Sequence, residues 1–562
     1  MSQSQKNATL SQRLADALPQ DIKFKFYHVS TPPTKCAALF AAPQGAKPER
    51  TYCESHFLNI SIPYSVEAKK STEVSILAIE VLIYTTRRLA TVFVSKADST
   101  GYLSLATIPR GHVSPLRAIP STFISYLVEH RQRPNVRLVV SLFARASDQY
   151  LFPRSVQNKA KHVSDDRQLV KWWCRVLDPV LRDYPAEDDH TSSVEEEESN
   201  TKAQAYLIVP GEDSILSFLP QDVRLNTSLR KRWKHAHPLR EISSSPAAPP
   251  RCLVPHFPDD PKARFLNELD DELPDSTGNV TESPSKRGSG QWKSVKSLEQ
   301  FWEMMAFRQE CSSGRLVGFI WVVFTPSDVD SQFRESQTDS QDSVLNPPFT
   351  FAPSERSSSN LDTLSSPSLK SSVPRRSSGQ RRKKLTGPIV PRMPRIKSAS
   401  SSITITSQPA ISEYYIWPSE SRGEVVLDDK KYGKATETLL RLDFASQELA
   451  ADSTQTWIEE VGVLSGLNTS WGQSVVGKCK LPAVASVGHD VGATVLQPKK
   501  RKVDSTFEND KTNGSVNTLS ARLVRKKPKT QDEQPSQGPA THPAGVINMM
   551  GGGLGRKKAK PA

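Results

Sequence analysis

The nonapeptide FPDDPKARF, residues 257–265, sets Asp259, Asp260, Lys262 and Arg264 between two phenylalanines, with Pro258 and Pro261 stiffening the run. Carboxylates this close to an ammonium form either a solvated Asp-Pro turn or a buried cluster kept for a purpose. Buried charges are costly unless paired. Elsewhere GQSVVGKC, residues 472–479, imitates the phosphate-binding pattern G-x-x-x-x-G-K-[ST], with Cys479 replacing the hydroxyl. No apolar strand leads into it, and Pro482 would break the helix that must follow, so the imitation is rejected. G-x-S-x-G, H-E-x-x-H, C-x-x-C and the R/Q-x-x-G-x-G/A loop of the commonest acetyltransferase superfamily are all missing. The six cysteines (36, 53, 174, 252, 311 and 479) are widely scattered, which argues against a zinc site or disulfide framework and for a reducing compartment.

Elements able to hold such a cluster are legible from hydrophobic period. EVSILAIEVLIY and LATVFVS, separated by TTRR, read as a β-hairpin. Residues 136–143, 205–209 and 316–324 read as further buried strands. RQLVKWWCRVLDPVLRD carries Leu169, Trp173, Val176, Leu177 and Val180 at helical spacing, and SVKSLEQFWEMMAFRQE repeats the pattern with Leu298, Phe301, Trp302 and Met305. Strands and helices interleave without a strict βαβ rhythm. The expected fold is therefore α/β, a single mixed central β-sheet flanked by helices.

Mean hydropathy is −0.48 and there are 42 prolines, so much of the 562-residue chain is expected to lie outside a packed core. Residues 1–22 read as an N-terminal segment and 23–324 as the core, with solvated loops near 187–200 and 274–291. Residues 325–410 read as a disordered Ser/Pro-rich linker. Residues 411–475 return to order; their one amphipathic helix, expected at 435–445, cannot bury its apolar face alone and is expected to pack back on the core. Residues 476–562 read as a disordered basic tail. From Gln497 onward 14 Lys/Arg face 5 Asp/Glu, so the tail supplies +9 of the net +14. PKKRKV, residues 498–503, has the form of a nuclear localisation signal, and the tail could make weak DNA contacts. The N-terminus lacks a signal-peptide core, and LVGFIWVVF, nine residues, is too short to span a membrane. A nuclear location and no membrane partner are expected.

Four blocks in order resemble the fungal family of chaperone-dependent histone H3 (lysine 56) acetyltransferases, itself similar in fold to the CREB-binding-protein acetyltransferases. They are FVSKADSTGY (93–102), QYLFPRSVQNKAKHVSDDRQLVKWWC (149–174), VPGED (209–213) and FPDDPKARF, and SLEQFWEMMAFRQE and the terminal GRKKAK also fit. The resemblance implies acetyl-CoA as co-substrate and no metal. It places the coenzyme across Ala97, Asp98 and Ser99, against His112, Val113, Ser114, Pro115, Leu116 and Arg117, and along Phe143, Ser147, Tyr150, His162, Val163, Ser164 and Trp172. Ser114 suits an N-cap and Pro115 a first helical position, although Pro120 could move the helix start to Ser121.

The resemblance also implies that Lys262 is a buried lysine the enzyme acetylates on itself, held by Asp259 and Asp260 with Arg264 balancing the aspartates. Trp173 is either a core aromatic, as its helical face suggests, or the wall of a substrate-lysine tunnel, as the resemblance implies. His162 alone would read as a structural histidine. Cys174 on the same helix invites a nucleophile reading, which the family does not support. Acetyl transfer needs a neutral amine, and lysine titrates near 10.4, so a carboxylate base or desolvation must remove the proton. Asp260 and Asp98 are the candidate carboxylates, with Trp173 as the third catalytic candidate. Implied partners are histones H3–H4 and chaperones of the anti-silencing-factor and NAP families; implied targets are lysine 56 and tail lysines of histone H3, in replication-coupled chromatin assembly and the DNA damage response. The alternative is a non-enzymatic nuclear histone- or DNA-binding adaptor with a degenerate coenzyme pocket.

Overall fold

Side chains along the central strands alternate between two apolar cores. Leu138, Val140, Leu142 and Ala144 face one core, while Val139 and Phe143 join the other; Ile320, Val322 and Phe324 alternate likewise with Phe319, Trp321 and Val323. A strand with both faces apolar must be covered on both sides. The computed structural model describes residues 8–64, 72–186, 201–273, 290–308, 315–326, 408–467 and 470–480, all within one unit, Met1–Val484. Its strands are β1 Lys23–Ser30, β2 Thr34–Cys36, β3 Thr51–Tyr64, β4 Thr72–Thr85, β5 Leu89–Ser99, β6 Arg137–Arg145, β7 Lys202–Ile208, β8 Trp233–Lys234, β9 Val317–Thr325, β10 Val425–Val426 and β11 Gln473–Val476. They form one 11-stranded sheet of order β10-β1-β3-β4-β5-β6-β9-β7-β8, with β11 on β1 and β2 on β3. The β5–β6, β7–β8 and β1–β10 pairs are parallel and the others antiparallel, so the sheet is mixed as expected.

Among the described residues, the helices of eight residues or more are α1 Leu10–Ala17, α2 Pro115–Glu129, α3 Asp166–Arg182, α4 Ala263–Asp271, α5 Leu298–Ala306, α6 Asp429–Leu439 and α7 Gln447–Ser465. α1, α2, α3, α6 and α7 contribute to one core, and α4 and α5 to the other. Their starts follow capping rules. Asp165 accepts from Gln168 N, Ser297 from Gln300 N, Asp428 from Lys431 N and Ser446 from Leu449 N.

The TTRR hairpin stands between β4 and β5, in register at Thr85 and Ala90. α2 begins at Pro115, directly after Ser114, the first of the two starts the sequence offers; buried Pro120 lies inside it and forgoes only the bond to Leu116 O. Three features differ from the sequence reading. Folded structure begins upstream of residue 23, because a Thr9–Gln12 capping box starts α1 and its Leu10 and Leu14 are buried. The helix expected at 435–445 is instead two, α6 and α7. The chain turns where buried Phe444 donates its N–H to Pro153 O at 3.0 Å and Ser446 caps the next helix.

Strands β1 and β3 also escape a hydropathy scan, because they bury polar side chains: His28, Ser30, Glu54, His56, Asn59 and Ser61. Arg131, after α2, donates to both oxygens of Glu54 and to Ser421 Oγ, and His28 Nε2 lies 3.0 Å from His56 Nδ1. Burial holds both imidazoles below their usual range. His28, Glu54, His56 and Arg131 partner one another, while Ser30 Oγ accepts from Gly423 N, Asn59 Nδ2 donates to Ser75 Oγ and Ser61 Oγ donates to Glu73, so most of these buried groups find a partner.

The rejected phosphate-loop imitation has a structural cause. Its residues 473–476 are strand β11, and its glycines are close approaches: a Cβ on Gly472 (φ +94°) would sit 2.3 Å from the Tyr27 ring, and one on Gly477 1.9 Å from Pro19 O. Gly477→Ala is expected to destabilise the protein by about 2–3 kcal/mol, since backbone must move to admit the methyl group. Urea denaturation checks this; an unchanged midpoint would refute it.

Candidate active site

Two parallel strands that part company make the cleft. β5 and β6 pair from Leu89↔Arg137 to Val94↔Leu142. Beyond that, β5 stays with β4 as far as Ser99, while β6 stays with β9 as far as Arg145. The gap opens into a cleft of about 270 Å³. Ala97, Asp98, Ser99, Leu116, Phe143, Ser147, Tyr150, His162, Val163, Ser164, Trp172 and Trp173 all line it. His112, Val113, Ser114, Pro115 and Arg117 flank Leu116 but are not among its lining residues. The start of α2 offers few amides to an anion: Pro115 has none, and those of Arg117 and Ala118 already donate to Ser114 O at 2.8 and 3.0 Å.

Asp98 holds the walls together. Its Oδ2 accepts from three successive amides, Tyr150 N (2.8 Å), Leu151 N (2.9 Å) and Phe152 N (3.1 Å). Its Oδ1 accepts from Ser99 N (2.8 Å) and from Lys161 Nζ (2.8 Å), which also donates to Ser155 Oγ at 2.8 Å. Both members of this ion pair are buried. One carboxylate thus pins the whole 149–161 stretch to the end of β5. Lys161 was missed by sequence reading, since one lysine in NKAKH carries no signal without its distant partner.

Trp173 packs in the core and lines the cleft as well. It is 5% exposed and stands edge-on to Trp172 at 4.7 Å between ring centroids. Cys174 is fully buried, and that burial pushes its thiol far up, so it has no nucleophilic character.

The FPDDPKARF stretch is a buried cluster and not a solvated turn. Phe257 stacks on Phe93 at 4.2 Å and Phe265 on Phe301 at 5.2 Å, so the flanking rings anchor in different apolar clusters and draw the charges inward. Lys262 is 2% exposed, and its Nζ lies 2.7 Å from both oxygens of Asp260. Asp260 also accepts from Lys262 N at 2.8 Å and Phe257 N at 3.3 Å. The ammonium sits 4.3 Å from the ring centre of Phe143, which is itself a cleft wall. Burial holds Lys262 below the usual lysine range, with Asp260 pulling it back up.

Asp259 is turned elsewhere, because its left-handed backbone (φ +52°) aims an exposed carboxylate at Lys96 Nζ, 3.0 Å away. Arg264 is largely exposed and donates to Glu268 at 3.2 Å. A second cavity, of about 520 Å³, shares Arg145, Ala146 and Ser147 with the cleft and includes Pro261 and Arg264. Among the described residues, no group of three or more His, Cys, Asp or Glu side chains is placed to hold a metal ion, and no helix is long and apolar enough to cross a membrane.

The sequence profile of the KAT11-type histone acetyltransferase domain matches residues 10–137 and 133–460. The chain is 42% identical over 497 residues to histone acetyltransferase rtt109 of Aspergillus flavus, covering 84% of this chain and 85% of that one. It is 31% identical over 305 residues to rtt109 of Schizosaccharomyces pombe, covering 54% and 69%. The crystal structure of Rtt109 from Aspergillus fumigatus superposes with a TM-score of 0.63 at 41% identity, covering 84% of this chain and all of that one. A cleft between parted parallel strands, a buried lysine cluster beside it and these likenesses lead to one conclusion: the chain belongs to the KAT11-type histone acetyltransferases, within the fungal Rtt109 family, and is a histone lysine acetyltransferase.

Proposed function

We propose that the enzyme acetylates histone H3 at position 56 and at tail lysines, on H3–H4 presented by chaperones of the anti-silencing-factor and NAP families. It acts in the nucleus, in replication-coupled chromatin assembly and the DNA damage response. The observation that carries the reading is the convergence on one cleft of residues from β5, β6, the 149–164 stretch and α3, those the family resemblance singles out for acetyl-CoA. The wider depression beyond Arg145–Ser147 leaves room for the substrate chain. The basic tail, the 498–503 signal and the 325–410 linker fall almost entirely outside the described residues; tail contact with DNA and the division into core, linker, returning segment and tail belong to this proposal.

Acetyl-CoA brings an activated thioester. The incoming lysine forms an Nζ–C bond as the C–S bond breaks, and the thiol leaves with the proton that the amine loses. Asp98 has both oxygens engaged, so its part is to position Tyr150, His162 and their neighbours. Asp260 has both oxygens on Lys262. With neither carboxylate free, desolvation among Phe143, Trp172 and Trp173 favours the neutral amine, the ammonium having given its first proton to solvent before the transfer begins. Lys262 is the self-acetylated residue: acetylation removes its buried charge and keeps its apolar stem.

Acetylation of chaperone-bound H3–H4, mapped by mass spectrometry, tests the assignment; label on histone H3 at position 56 supports it, and none with either chaperone class sinks it. A pH profile tests the Lys262 part. Because burial lowers the amine's pKa, self-acetylation should rise with pH and level off below the ordinary lysine value of 10.5. A rise that continues to 10.5 would contradict a buried acceptor.

A further inference from the structure

Lys96 lines the cleft one residue before Ala97, and its ammonium is shared by two carboxylates: Glu80 Oε2 at 3.2 Å and Asp259 Oδ2 at 3.0 Å. The strand arranges this through a bulge. Glu80 pairs with Lys96 but Val81 with Val94, which leaves Ser95 as an extra residue in β5. Consecutive side chains then reach the same carboxylate, with Ser95 Oγ donating to Glu80 Oε2 at 2.9 Å. Glu80's other oxygen accepts from Tyr432 OH at 3.1 Å, a buried hydroxyl on α6. The returning C-terminal segment is thereby wired, through Glu80 and Lys96, to Asp259.

Asp259 needs such a tether. It is a non-glycine residue at φ +52°, a conformation that costs energy unless its surroundings impose it. It also immediately precedes Asp260, whose two oxygens clamp Lys262. Releasing Asp259 lets the peptide link to Asp260 rotate and the clamp lose its aim.

We propose that Lys96 is a positioning residue for acetyl transfer: held by Glu80 and Tyr432, it fixes Asp259 in its left-handed turn and so sets the Asp260–Lys262 pair behind Phe143. Lys96 serves the chemistry through the loop, not by contact with the coenzyme.

The test is a double-mutant cycle on the full chain, read as kcat and KM on H3–H4 and as Lys262 acetylation by mass spectrometry. Lys96→Met should lower kcat by about tenfold or more and reduce Lys262 labelling, as misplacement near reacting groups does. Lys96→Arg, keeping the charge, should stay within about threefold of wild type. Asp259→Gly adopts the same turn without the tether; in that background, Lys96→Met should cost less than about twofold more, because both changes break one link. Full multiplication of the two costs would overturn the proposal and assign Lys96 to the coenzyme. Should Lys96→Met fold poorly, Asp259→Asn at an exposed side chain makes the same cut; wild-type kcat there would equally overturn it. The Lys262 readout rests on the self-acetylation proposed above, whereas histone turnover does not. Wild-type enzyme unlabelled at Lys262 would sink self-acetylation alone and leave the kcat cycle to decide the role of Lys96.

Discussion

Asp98→Asn is expected to lower kcat/KM by at least about a hundredfold, with the loss carried as much by KM for acetyl-CoA as by kcat. An amide has one acceptor oxygen where the carboxylate has two. Whichever way it turns, its NH₂ confronts either the three amides of residues 150–152 or the buried Lys161 ammonium. Leaving a buried donor or charge without its partner costs about 2–4 kcal/mol, so urea denaturation should fall with activity. The two roles open to Asp98 separate cleanly. A proton acceptor would be missed in kcat alone, with coenzyme binding intact. A clamp is missed in binding as well, because Tyr150, His162 and Val163 lose their footing. Wild-type KM with a collapsed kcat would reinstate the proton-acceptor role.

Lys262→Met should cost about 3–5 kcal/mol at neutral pH, the penalty for stranding a buried carboxylate. Asp260 would keep only its two backbone donors, Lys262 N and Phe257 N. The sign of the pH dependence follows. A buried carboxylate without its counter-charge destabilises the native state only while it is ionised, so the deficit relative to wild type should shrink as pH falls. Adding Asp260→Leu should recover most of the loss. Urea midpoints at pH 5 and pH 8 decide it; a deficit that ignores both pH and the second change would show that Lys262 acts by packing alone.

Much of the central sheet was legible because β4, β5, β6, β7 and β9 are continuous apolar runs. Helices α3 and α5 were legible from stripes at helical spacing. β1 and β3 were not, since their buried His28, Glu54 and His56 look like surface residues until Arg131 and Ser421, supplied from elsewhere, are set beside them. The cleft residues came from motifs held in common with a family, not from periodicity. What the motifs could not convey was direction. Asp259 and Asp260 are adjacent and identical in type, yet a positive φ sends one to Lys96 and leaves the other on Lys262. Lys161 and Lys96 were invisible for the same reason: their meaning lies in carboxylates reached only through the fold.

The sheet's first strand is completed by the last described part of the chain. β1 gains β10 and β11, and buried Ser75 gains Thr454, from segments roughly four hundred residues downstream. At a synthesis rate of about 5–20 residues per second, β1 waits on the order of 20–90 s for these partners. During that time a sheet edge, and the buried Arg131 that Ser421 helps to satisfy, stand open on the nascent chain. The sheet therefore cannot close until most of the chain has been made. Its folding is limited by long-range closure, and a chain cut short of Val476 is expected to keep that edge open as a pairing surface that favours aggregation.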